Sequence, residues 1–121
     1  STCSMWYNTY VVINKGDFKL YAIKIDHISF ETQVLDSNKK VLVDFYADWC
    51  GPCRTVSPLV EQIACEHPEY KVCKINVDEQ PQLASEYRIT SIPTLLVFEN
   101  GKVIKSLVGA APKQQILDML K

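Results

Sequence analysis

The stretch Val41-Leu42-Val43-Asp44-Phe45-Tyr46-Ala47-Asp48-Trp49-Cys50-Gly51-Pro52-Cys53 decides how this chain is read. Its first seven residues, Val41 to Ala47, are apolar except for Asp44, the pattern of a central strand covered on both faces. Pro52 then suits the first turn of a helix, where a missing N–H breaks no intrahelical bond. Val56, Leu59, Val60, Ile63 and Ala64 continue at helical spacing. The spacing predicts a helix to about His67, bent at Pro58 and ended by Pro68. A buried strand running straight into a helix is the unit of an α/β domain.

The same alternation extends outward. Lys71 to Val77 reads as a second inner strand, and Pro81 to Tyr87 as a short helix that begins at a proline. Thr94 to Phe98 and Val103 to Val108, joined by Glu99-Asn100-Gly101-Lys102, form a predicted β-hairpin, because Asn-Gly supplies the positive φ angles a tight turn needs. Pro112 to Leu120 closes the chain as an amphipathic helix with Ile116, Leu117 and Leu120 on its buried stripe. Upstream, Ile23 to Asp26 is expected to be a strand and Ser29 to Leu35 a helix capped by Ser29. Residues 1–21 stand apart as an N-terminal extension to a domain of residues 22–121. Tyr10 to Ile13 and Phe18 to Tyr21, around Gly16, are compatible with an extra hairpin. Ser1 to Ser4 ahead of Met5 are compatible with an appended leader, and without Cys3 the cysteine count becomes even.

Composition excludes several classes. The 121 residues carry 13 Lys and Arg against 14 Asp and Glu, a net charge of −1. With 47% hydrophobic and 22% charged residues the chain is globular rather than disordered, and it is long enough for one core without disulfide staples. No segment clusters the excess of Lys and Arg that nucleic acid requires. The mostly uncharged stretch Ile89 to Phe98 falls well short of the roughly 20 apolar residues of a membrane span. The first residues lack a basic start, an apolar run and a cleavage site, although a signal already removed leaves no trace. Five cysteines cannot all pair within one chain, and apart from Cys50 and Cys53 they are isolated, which favours a reducing, cytoplasmic setting.

Cys50 and Cys53 stand where strand gives way to helix, the setting in which Cys-x-x-Cys reads as a redox pair. The first N–H groups of a helix are unpaired and carry partial positive charge, so they stabilise a thiolate on Cys50. Thiolate is the form that attacks disulfides. Cys53, one turn further in, can reach the Cys50 sulfur and is expected to be more shielded from a bulky substrate. The implied reaction is attack of Cys50 on a substrate disulfide, a mixed disulfide, and its resolution by Cys53, after which an external reductant restores the pair. The competing reading, half of a zinc site, lacks a second pair, since Cys65 and Cys73 fall on different elements, so no metal is expected.

Taken together, Val41 to Cys53, the run Lys74-Ile75-Asn76-Val77-Asp78, Ile92-Pro93-Thr94 and Asn100-Gly101 resemble the thioredoxin family over most of the chain. The resemblance implies an α/β thioredoxin fold, a central five-stranded mixed sheet flanked by four helices. It also implies activity as a general protein-disulfide reductase whose redox group is the Cys50–Cys53 disulfide, with no bound cofactor. Its implied partners are a thioredoxin reductase or equivalent electron donor and disulfide-containing proteins, with the domain acting as a monomer. Asp44 matches the family's buried aspartate. Desolvation in an apolar strand raises a carboxyl pKa, which suits Asp44 to exchange a proton with Cys53, directly or through a water. The plainer alternative is a carboxylate that satisfies nearby donors. Lys74 matches the family's lysine near that aspartate and would bias its charge, the alternative being an exposed strand lysine.

Pro93 matches the proline that is cis in this family and faces the cysteine pair, with the Ile92 main chain offered to an extended substrate segment. Trp49, Gly51, Pro52, Ile92 and Val108-Gly109-Ala110 match its largely apolar docking surface around an exposed sulfur; singly, each is also compatible with incidental exposure. Gly51-Pro52 between the cysteines resembles the reductants, whereas a histidine before the second cysteine would resemble oxidants and isomerases. Tyr46 departs from the tryptophan or phenylalanine of many relatives and keeps the aromatic packing. Cys73 reads as a core residue. Cys65 lies beside the helix's apolar stripe and is expected to be partly exposed, a regulatory or dimer-forming thiol being the minor reading. His27 and His67 read as surface residues. Two other functions compete: a binding module on the same fold that needs no thiols, and an exported disulfide oxidant or isomerase.

Overall fold

The computed structural model describes residues 21–121. The hairpin and leader readings for the first 20 residues lie outside the described residues. The element order is β1 (Ile23–Lys24), α1 (Glu31–Leu35), β2 (Val41–Tyr46), α2 (Gly51–Glu66), β3 (Lys71–Asn76), α3 (Pro81–Glu86), β4 (Thr94–Glu99), β5 (Lys102–Val108) and α4 (Lys113–Leu120). The strands form one mixed sheet in the order β1-β3-β2-β4-β5. β1, β3 and β2 run parallel, β4 runs antiparallel to β2, and β5 antiparallel to β4.

β2 lies at the centre, which accounts for its apolar sequence. Its odd positions, Val41, Val43 and Phe45, pack with Ile25, Phe30, Val34, Cys73, Ile75, Leu83 and Phe98 on the α1/α3 face. Leu42 packs on the opposite face with Val56, Val60, Ile63, Val72, Leu95, Ile116 and Leu120, the face of α2 and α4. Because side chains alternate along a strand, Asp44 shares the α2 face with Leu42. Lys74 shares it with Val72, and the register pairs Asp44 with Lys74 across β2 and β3. Each Leu, Ile or Phe so buried contributes about 1.5–3 kcal/mol. Phe30, Tyr87 and Phe98 close the α1/α3 face as an aromatic trio with centroids 5.3–5.9 Å apart.

The hairpin turns at Asn100 and Gly101 with φ of 52° and 80°, as Asn-Gly predicts. β5 is mostly exposed, and among the described residues it is an edge strand paired with β4 alone. Two expectations need correction. The first strand spans two residues, since past Lys24 the chain keeps only the bond from Ile25 N–H to the Lys74 carbonyl before turning at Asp26. α1 is a short π-type helix closed by Asp36 N–H on the Glu31 carbonyl, and Ser29 does not cap it. Asp26 instead holds the turn that leads into it: its Oδ1 accepts from the N–H groups of Ile28 (3.0 Å) and Ser29 (2.8 Å) and from the Ser29 hydroxyl.

Candidate active site

α2 starts at the cysteine pair because extended backbone at Cys50 (φ −84°, ψ 115°) gives way to Gly51 and Pro52, both compatible with a first turn. Cys50 is the N-cap, and the Cys53 N–H donates to its Sγ at 3.2 Å. The sulfur therefore meets the unpaired amides of the helix start, as the sequence requires. Cys50 and Cys53 are joined as a disulfide. They pack with Ala47 against Tyr46, Val77 and Ile92, and the Cys50 Sγ lies 3.8 Å from the Ile92 carbonyl oxygen. The expectation of an exposed Cys50 beside a shielded Cys53 is corrected for this oxidised state: both residues are 3% exposed. Both residues lie in the same apolar niche.

Around the pair, Trp49 is 69% exposed, and its indole N–H donates to Asp78 Oδ2 at 2.8 Å, which ties the ring to the loop after β3. Gly51 and Pro52 are exposed, Ile92 is half-buried and Pro93 is buried, with a cis peptide between Ile92 and Pro93. The Gly109 N–H donates to the Pro93 carbonyl at 2.8 Å, so the end of β5 is fastened to the cis-proline loop. Gly109 sits at φ 95°, a left-handed conformation that side chains disfavour. Val108 and Ala110 beside it are exposed.

A set of buried charges lies between the sheet and α2. Asp44 is 1% exposed and neither carboxyl oxygen has a hydrogen-bond partner. Burial pushes its carboxyl up to about 7, the Lys74 ammonium opposing this and Glu61 adding to it. Lys74 is buried, not an exposed strand lysine; its Nζ donates to Ser57 Oγ at 3.2 Å and lies 4.8 Å from the centroid of the Tyr46 ring. An open pocket of about 230 Å³, lined by Tyr46, Ala47, Asp48, Cys53, Arg54, Ser57 and Lys74, brings Cys53 and Lys74 to one opening. Glu61 was missed in the sequence. It is 1% exposed, and its Oε2 lies 3.6 Å from Lys74 Nζ. The signal was present: Cys53, Ser57 and Glu61 recur every four residues, a line of reactive and polar side chains down one face of α2.

The remaining candidates stand away from this centre. Cys73 is the free, buried thiol among the described cysteines, pushed up to about 12 by burial. Cys65 is half-buried, but its sulfur is disulfide-bonded, which corrects the reading of an available regulatory thiol. His27 is exposed, and the His67 Nδ1 contacts Glu69 at 3.1 Å. Among the described residues no group of three or more His, Cys, Asp or Glu is arranged to hold a metal ion. No helix among them is long and apolar enough to cross a membrane.

A cysteine pair bonded across the first turn of a helix, against a cis-proline loop on a mixed sheet, defines a thiol–disulfide oxidoreductase. Comparison with known proteins makes this specific. The family model described as Thioredoxin matches residues 21–121. Thioredoxin 1 of Nostoc sp. is 48% identical over 101 residues, 83% of this chain and 94% of the relative. Thioredoxin of Mycobacterium tuberculosis is 47% identical over 100 residues, 82% of this chain and 86% of the relative. A solved point mutant of thioredoxin from Halobacterium salinarum superimposes with a TM-score of 0.76 at 34% identity, covering 87% of this chain and 93% of that one. The chain belongs to the thioredoxin family. It is a protein-disulfide oxidoreductase whose redox group is the Cys50–Cys53 dithiol, and the family works between reductases and disulfide-bearing proteins.

Proposed function

We propose that Cys50 is the attacking thiolate, Cys53 the resolving thiol and Asp44 the acceptor of the Cys53 proton in the reduction of protein disulfides. The observation that carries this assignment is the Cys53 N–H directed at the Cys50 sulfur at the helix start, which favours negative charge on Cys50 rather than on Cys53. The Cys50 thiolate attacks one sulfur of the substrate disulfide, that S–S bond breaks as the Cys50–substrate bond forms, and the departing substrate thiolate takes a proton from solvent. Cys53 then yields its proton to Asp44 and attacks the Cys50 sulfur. The internal disulfide forms, the second substrate thiolate leaves, and two electrons have passed from the pair to the substrate. A base whose proton affinity lies near neutrality suits that transfer. Lys74 modulates it by favouring the ionised form of Asp44.

Trp49, Gly51, Pro52, Ile92, Pro93, Val108, Gly109 and Ala110 form the docking surface in this reading, the Ile92 main chain meeting an extended substrate segment. The working unit is a monomeric domain of residues 22–121 with residues 1–21 as an extension. It draws electrons from a thioredoxin reductase or equivalent donor, and its setting is the cytoplasm. A second reading, of compartment alone, is favoured by Cys65, because a disulfide outside the reactive pair persists in oxidising compartments. Gly51-Pro52 between the cysteines supports a reductant in either setting.

Capture tests the assignment. Reduced Cys53→Ser protein mixed with oxidised insulin is expected to accumulate an adduct whose peptide map joins Cys50 to an insulin cysteine, and Cys50→Ser protein is expected to form none. An adduct through Cys53 in the Cys50→Ser variant would reverse the two roles. No adduct in either variant would favour the thiol-independent binding module.

A further inference from the structure

The buried cluster behind Cys53 holds one more charge than proton transfer to Asp44 needs. Glu61, on α2 two turns beyond Cys53, turns its carboxylate inward and shares it between two elements. Its Oε1 accepts the backbone N–H groups of Tyr21 and Ala22, each at 2.8 Å, across some forty positions of sequence. Its Oε2 is buried without a hydrogen bond and lies 3.6 Å from the Lys74 ammonium. Lys74 in turn is paired in register with Asp44. One ammonium therefore serves two buried carboxyl groups, and in a poorly solvated site each carboxylate is favoured by that cation and disfavoured by the other carboxylate.

The groups facing Asp44 bear this out. Lys74 of β3 and Leu95 of β4 pair with Asp44 in register, and Glu61 of α2 acts on its charge. Lys74 favours the ionised form of Asp44 and Glu61 the protonated form. The Tyr46 ring and the Ser57 hydroxyl also contact the Lys74 ammonium, and the charged Asp48 and Arg54 line the same pocket.

We propose that Glu61 is a positioning residue for the resolving step: its carboxylate competes with Asp44 for Lys74, held in place by the Tyr21 and Ala22 amides, and so keeps Asp44 a strong enough base to accept the Cys53 proton. Asp44 with Lys74 to itself would release its proton more readily and be the weaker acceptor. The same carboxylate fastens the backbone of Tyr21 and Ala22 ahead of β1, so that anchoring and proton transfer meet on one side chain. The inference rests on the reading of Asp44 as proton acceptor for Cys53, and its test is arranged to separate the two.

The test follows the Asp44 and Glu61 carboxyl carbons by NMR from pH 5 to pH 9 in the oxidised, unmodified protein and in Glu61→Gln, whose amide oxygen can still accept from residues 21 and 22. Glu61→Gln is expected to lower the proton affinity of Asp44 about tenfold, and the pH profile of disulfide reduction is expected to move the same way. An unchanged or raised Asp44 midpoint overturns the inference. The unmodified protein alone also decides: Glu61 must stay ionised across the range in which Asp44 titrates, and a Glu61 carboxyl that is protonated there overturns the inference even if the variant does not fold. Failure of the underlying reading has a different signature. In that case Asp44→Asn leaves the pH profile of reduction unmoved, while the Asp44 midpoint still answers to Glu61.

Discussion

Replacing Asp44 by asparagine is expected to change how stability varies with pH, and the structure fixes both sign and size. The carboxyl is held without a hydrogen-bond partner in the core, and burial moves it from 3.8 to about 7. Unfolding returns it to water and to its ordinary value. Between about pH 4 and pH 7 the folded state therefore keeps a proton that the unfolded state releases, so the contribution of Asp44 to stability falls as pH rises through that window and levels off above it. The interval from 3.8 to about 7 corresponds to about 4 kcal/mol in full, of which about 3 kcal/mol falls between pH 5 and pH 8. Asparagine does not titrate, and subtracting the two profiles cancels the groups they share. Guanidinium unfolding of both oxidised proteins at pH 5, 6, 7 and 8 measures the difference. Asp44→Asn should gain about 3 kcal/mol on the unmodified chain across that range. Parallel profiles, or an unmodified chain that gains on the variant as pH rises, would refute the account of Asp44 as a desolvated carboxyl.

Three further outcomes follow from the same geometry. Trp49→Ala, which removes an exposed ring held by Asp78, is expected to raise KM for a protein disulfide severalfold while stability stays within about 0.5 kcal/mol; a change in stability alone would remove Trp49 from the docking surface. Gly109→Ala meets no atom within 4 Å of the new Cβ, so its expected cost of about 1–2 kcal/mol in thermal unfolding comes from the backbone at φ 95°, and an unaltered Tm would contradict that. In the reduced, folded protein Cys73 is expected to resist iodoacetamide while Cys50 reacts, because burial pushes the Cys73 thiol up to about 12; equal labelling would contradict its placement in the core.

What the sequence made legible was whatever a local signal specifies. The apolar run Val41 to Ala47 identified the central strand, Asn100-Gly101 the hairpin turn, and Cys50 with Pro52 the start of α2, because strand burial, positive φ and helix initiation each leave a short-range mark. Asp44 was legible as an anomaly in such a run. The misses were relational. Ser29 offers a side-chain oxygen near a helix start, but it is taken up with Asp26 in the turn between β1 and α1 and caps nothing. Glu61 escaped because the stripe of α2 was traced through its apolar members, whereas the face toward Lys74 is polar. The destination of the Lys74 ammonium needed the β2–β3 register, and the equal shielding of Cys50 and Cys53 needed the packing of Ala47, Tyr46, Val77 and Ile92 around them.

The central claim is that the Cys50–Cys53 pair reduces protein disulfides, and the most direct measurement is insulin reduction driven by dithiothreitol and followed by turbidity. The unmodified chain, Cys50→Ser and Cys53→Ser should be compared at equal concentration. The account predicts that the unmodified chain accelerates precipitation and that both variants fall to the rate of dithiothreitol alone. A folded, fully reduced chain that gives no acceleration, or a Cys50→Ser variant that retains it, would contradict the account.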